Sequence, residues 1–216
     1  MGTLTNGIGR RAILAGLPLL AAGCGAPSVW ADDEFIERVT YRHSGPTALT
    51  LFTMKNVGTK NGAHTGLMVS ASQRVIFDPA GTFAHPSLAE RNDVIYGISP
   101  TVLDFYRTYH ARSTYFVVEQ YVEVSPQIAE TALRLVMDYG PVPKAACTRA
   151  TTHVLRDSVG PEYFRPTLFP DNLLRQFSKL PGVQTFEHRE YDSDNKEEAV
   201  AAFDAQLAAQ SAGSSG

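Results

Sequence analysis

Two cysteines, six histidines and a handful of acids are the side chains of this 216-residue sequence with types and spacing suited to covalent chemistry. Cys147 follows a proline-stiffened stretch, Pro141-Val142-Pro143, and a helix is expected from about residue 145 to 156. The thiol then falls in a first helical turn. Unsatisfied backbone N–H groups and the helix dipole stabilise a thiolate there, and thiol pKa values fall below the free value of about 8.5. The same N–H groups suit a developing oxyanion.

A cysteine nucleophile needs a base. His64 opens an expected strand in His64-Thr65-Gly66-Leu67-Met68-Val69, with a glycine two positions on along the same face. A second apolar run, Val75-Ile76-Phe77-Asp78, follows Ser70-Ala71-Ser72-Gln73, and together they read as a hairpin. Asp78 would then lie beside His64 and orient its imidazole, giving nucleophile, base and orienter. His85 and Asp93 compete with Asp78 for the orienting role. His153, six residues after Cys147, points to a largely different helix face. The competing structural account is that Cys147 is a small core residue, His64 an ordinary strand residue and Asp78-Pro79 a turn.

The elements that must position these groups are legible in outline. Strands are expected at Thr47–Lys55, over the hairpin and at Tyr115–Val124. Ser99-Pro100 and Ser125-Pro126 read as capped helix starts, with Gly140-Pro141 as a stop. Residues 158–181 hold four prolines and read as loop with a short helix near Asn172–Phe177, and Lys196–Gln210 is an alanine-rich helix. One α+β domain over residues 47–210 accounts for this pattern, preceded by a polar tether at 24–46 and followed by a loose tail at 211–216.

The first 24 residues resemble the export signals of bacterial lipoproteins. Arg10-Arg11 precedes a short apolar run, and Leu19-Leu20-Ala21-Ala22-Gly23-Cys24 reads as a lipoprotein signal-peptidase site. The run is too short to span about 30 Å of hydrocarbon as a helix. Arg10-Arg11-Ala12-Ile13-Leu14 also resembles the twin-arginine export pattern. The resemblance implies removal of residues 1–23, lipid on Cys24, and a location on the periplasmic side of a bacterial membrane. Gly25 after that cysteine favours the outer membrane by analogy. Cys147 would then be a lone thiol in an exported protein, where thiols ordinarily pair.

His64-Thr65-Gly66-Leu67-Met68-Val69, a short turn and Val75-Ile76-Phe77-Asp78 resemble the histidine hairpin of NlpC-type papain-like cysteine hydrolases. The order His64, Asp78, Cys147 resembles the circularly permuted branch of that superfamily, which includes lecithin:retinol acyltransferase-like proteins. The resemblance spans roughly residues 47–157. It implies a small antiparallel sheet packed on the cysteine helix, catalysis by Cys147, His64 and Asp78, and a peptidoglycan peptide or a lipid ester as substrate. Aspartate at the third position departs from the His, Asn, Gln or Glu of many relatives. A non-catalytic envelope lipoprotein that binds wall fragments or a partner is the alternative from a different class.

Composition narrows the field further. The formal charge is −3, and loss of two arginines and no acid with residues 1–23 makes the chain more acidic. It carries no basic run of the kind nucleic-acid binding requires. Gly-x-Ser-x-Gly, His-Glu-x-x-His and phosphate-loop motifs are absent from the sequence. No cofactor is implied, and membrane attachment would come from the lipid alone.

Overall fold

The computed structural model describes residues 28–213 together with Gly2; Cys24, the rest of the expected export signal and the last three residues lie outside the described residues. The chain is α+β. Helix α1 (Asp33–Val39) leads into strand β1 (Ala48–Asn56), β2 (Gly62–Ser70) and β3 (Arg74–Phe77). Two short strands, β4 (Glu90–Arg91) and β5 (Val94–Tyr96), precede α2 (Pro100–His110) and β6 (Tyr115–Glu123). Then come α3 (Pro126–Met137), α4 (Cys147–Ser158), α5 (Pro170–Phe177), β7 (Gln184–His188) and α6 (Lys196–Gly213).

The seven strands form one antiparallel sheet in the order β4-β5-β3-β2-β1-β6-β7. Alternation along the strands splits the core into two layers. Leu49, Leu51, Leu67, Val69, Val75 and Phe77 face α3, α4 and α5, meeting Leu133, Val136, Ala150, Val154 and Leu173. Phe52, Met54, Met68 and Ile76 face the other way, against Val102, Phe105 and Tyr106 of α2 and Phe203 of α6. Each face is closed by helices, so the central strands β1 and β2 are apolar on both sides.

Helix starts follow the expected chemistry in two cases. The Ser99 and Ser125 side chains accept from the Val102 and Ile128 N–H groups, each with proline in the first turn. Several elements depart from the expectation. Residues 33–39, inside the expected tether, form a helix capped by Asp32, and Phe35, Ile36 and Val39 pack on the core. β7 adds an edge strand whose side chains are mostly exposed, so it carries no buried alternation. The terminal helix runs to Gly213, past the expected end at 210, and the sheet is wider than the small one expected.

Candidate functional site

His64 and Asp78 come together through strand register. The β2–β3 ladder pairs Leu67 with Phe77 and ends there, so Asp78 follows on beside Gly66, one diagonal step from His64 on the α2 face. His64 Nε2 lies 2.7 Å from Asp78 Oδ1. The buried Tyr106 hydroxyl donates to the same oxygen from 2.8 Å. Asp78 Oδ2 is buried with no hydrogen-bond partner among the described residues.

Gly66 makes this junction possible. A Cβ there would overlap the Tyr106 hydroxyl and crowd Asp78 Oδ1, and one on Gly81 would overlap Asp78 Oδ2. Backbone bonds hold the corner, with Asp78 N–H donating to Asp93 O and Gly81 N–H to Asp78 O. Gly66→Ala is expected to destabilise the fold by about 1–3 kcal/mol through overpacking and to displace either Tyr106 or Asp78. Thermal unfolding read beside the pKa of Cys147 checks this; an unchanged melting temperature with an unchanged thiol pKa would contradict it.

Cys147 is the first residue of α4. Ala145 just before it adopts a left-handed conformation (φ 64°), and Ala146 offers no side-chain cap. The first-turn N–H groups of α4 thus lack the side-chain acceptor that α2 and α3 possess. α4 packs on the opposite face of the sheet from Asp78. Its N-terminus meets His64 past the end of β3, where β2 continues without a neighbour on that side. The thiol is 8% exposed, accepts from the Thr65 backbone N–H, interacts with the His64 ring and lies 3.8 Å from Thr148 Oγ1. Because Asp78 occupies Nε2, the nitrogen left for the thiol is Nδ1.

The electrostatics separate the three groups. Burial pushes the Cys147 thiol up, but the hydrogen bond and charge of His64, with smaller contributions from Thr148 and Thr65, bring it down to about 7. Burial lowers His64, yet the charge and hydrogen bond of Asp78, reinforced by Cys147, raise it to about 10. Burial raises Asp78, and the His64 charge and hydrogen bond, aided by His110 and Tyr106, hold it at about 2. Between about pH 7 and 10 the pair is therefore thiolate and imidazolium, with a carboxylate behind it.

The competitors are occupied elsewhere. Asp93 accepts the Ala80 and Val142 backbone N–H groups and fastens loops. His85 bridges Ser87 and Asp204, and His153 meets the Tyr139 hydroxyl at 3.1 Å. Two groups beside the trio escaped the sequence reading. Tyr106 and His110 lie one turn apart on α2, and the His110 ring stacks on that of His64 at 6.3 Å between centroids. A tyrosine on an apolar helix face reads as packing, because the partner of its hydroxyl comes from elsewhere in the chain.

A cleft of about 450 Å³ opens beside His64, lined also by Met54, Tyr109, His110, Arg112 and Lys196. Cys147 does not line it, so His64 stands between the thiol and the open space. Among the described residues no group of three or more His, Cys, Asp or Glu side chains could hold a metal ion, and no helix is long and apolar enough to cross a membrane. Comparisons with protein-family models, curated proteins and solved structures find no match, so the functional reading stands on this geometry and on the sequence.

Proposed function

We propose that the chain is a cysteine hydrolase or acyltransferase that attacks an amide or ester through Cys147 and His64, with Asp78 as orienter. The observation that carries this reading is the coupled trio: an imidazole bound through Nε2 to a buried carboxylate and facing, through its other nitrogen, a thiol at a helix start. Chance packing gives no reason for a buried carboxylate to hold that ring while the thiol titrates near neutral pH.

The chemistry follows from the arrangement. The Cys147 thiolate attacks the carbonyl carbon, and the carbonyl oxygen gains negative charge near the first-turn N–H groups of α4. Collapse breaks the bond to the leaving group, which takes a proton from His64 Nδ1. A second nucleophile (water, an amine or an alcohol) then attacks the thioester and gives its proton to Nδ1, restoring thiolate and imidazolium. Asp78 stays ionised throughout and keeps Nε2–H pointed away from the thiol.

The strand order and the sequence order His64, Asp78, Cys147 support a circularly permuted papain-like arrangement as part of the same proposal. The sequence of the first 24 residues supports a lipid-anchored envelope location on Cys24, with a peptidoglycan peptide or lipid acyl group as substrate. One observation favours the second reading, a non-catalytic envelope lipoprotein that binds wall fragments or a partner: the thiol is nearly buried and lies behind His64 rather than in the cleft.

Trapping separates the two readings. The full chain, incubated with peptide amides and lipid esters and quenched in acid, is expected to carry an acyl mass on the peptide containing Cys147. Cleft binding without any adduct on Cys147 would support the binding protein instead.

A further inference from the structure

The cleft beside His64 contains a second imidazole that the mechanism has not used. His110 Nδ1 lies 2.8 Å from the Tyr106 carbonyl, which can only accept, so that nitrogen carries the proton. The ring is held by Tyr106 at 4.5 Å, Tyr109 at 5.2 Å and Phe83 at 6.0 Å between centroids. It lies nearly parallel to His64, at 20°. Its other nitrogen, Nε2, has no hydrogen-bond partner among the described residues, while neighbours in the cleft are engaged. Lys196 donates to Thr82, Arg112 to the Ser193 and Asn195 carbonyls, and Thr114 to Asp194.

Burial keeps the His110 ring neutral, its pKa lowered to about 4 against the opposing pull of Asp78. The groups facing it are His64, Asp78 and Lys196, and the two cations add to the lowering. A neutral ring with its proton fixed on Nδ1 presents an acceptor at Nε2 and nothing else. It lines the cleft beside His64.

We propose that His110 is a specificity-determining residue whose Nε2 accepts the N–H of the leaving nitrogen of a secondary amide, so that the site selects amides over esters. The inference rests on the Cys147–His64 reading. A secondary amide nitrogen carries one hydrogen, which binds His110 Nε2. Its second arrives from His64 Nδ1 as the C–N bond breaks and the C–S bond forms, and it leaves as a primary amine. His110 gains no proton in this step. An ester oxygen has no hydrogen to offer, so His110 Nε2 stays desolvated and unpaired against it. An N-methylated amide fails in the same way.

The test uses three acyl donors on one acyl group: the 4-nitroanilide, the N-methyl-4-nitroanilide and the 4-nitrophenyl ester of N-acetyl-L-alanine. Acylation of the full-length wild-type chain and of its His110→Phe and His110→Gln variants is read by release of the chromophore and by mass on Cys147. The expected result is an anilide-to-ester rate ratio that falls by about tenfold or more in His110→Phe. Glutamine, which keeps an acceptor oxygen, should recover part of that ratio, and the N-methyl donor should show no dependence on residue 110. A ratio unchanged in His110→Phe overturns the inference while leaving the Cys–His reading intact. If no donor acylates Cys147 in the wild-type chain, that reading falls and the inference with it.

Discussion

Cys147→Ala is expected to abolish acyl transfer, lowering turnover by at least about a thousandfold, because the bond to the acyl group has no other nucleophile in reach. Cys147 is the free thiol among the described residues. Cys147→Ser is expected to fall nearly as far. A hydroxyl at this position must give up its proton to attack, and the His64 ring, raised to about 10, is already protonated near neutral pH and cannot take it. Cys24→Ser supplies the control, since it removes the expected lipid site and no residue of the trio. Turnover measured in detergent on all three variants decides the matter. Undiminished turnover in Cys147→Ala would remove the enzyme reading.

Asp78→Ala is expected to cost about a hundredfold to ten-thousandfold in turnover near pH 7, the range in which loss of an orienting carboxylate falls. Two effects combine. Burial alone lowers His64, so without the Asp78 charge the ring loses its proton and the thiol loses the imidazolium that brings it down to about 7. The ring also loses the bond that fixes Nε2. Asp78→Asn retains a polar partner of the same shape and should lose less in stability while losing most of the electrostatic effect.

Stability gives an independent readout of the same pair. Asp78 sits at about 2, below its ordinary 3.8, so its contribution is present above pH 3.8 and is lost as pH falls through about 2. His64 sits at about 10, above its ordinary 6.5, so its contribution is full below pH 6.5 and is lost as pH rises through about 10. The stability gap between the wild-type chain and Asp78→Ala should therefore be widest between about pH 4 and 6.5 and narrow on both sides. Denaturant unfolding across that range checks the shape. A gap independent of pH would mean that Asp78 is held by packing alone.

The site was legible in sequence where chemistry and local structure coincide. His64 and Asp78 lie on a hairpin announced by two short apolar runs and a short polar turn, and the proline stretch before Cys147 marked a helix start. The diagonal offset between His64 and Asp78 was not legible, because it depends on the ladder pairing Leu67 with Phe77. Nor was the reason for Gly66, which leaves room for a tyrosine hydroxyl forty positions away in the sequence. α1 escaped because seven residues mixing acids with Phe35, Ile36 and Val39 read as polar chain until the core they lean on is known. β7 pairs along β6 with mostly exposed side chains, so backbone hydrogen bonds rather than burial define it. His110 gave no signal beyond its type; its meaning comes from a stacked neighbour on another element.

Whether Cys147 and His64 act as one electrostatic unit is read from the pH dependence of Cys147 alkylation. With a small neutral alkylating reagent on the full chain, the account predicts a titration near pH 7 in the wild type. In His64→Ala it predicts a displacement upward, past the ordinary thiol value, because burial then acts without the imidazolium. Slow alkylation with one pH profile in both proteins would contradict the pair and leave Cys147 an inert core thiol.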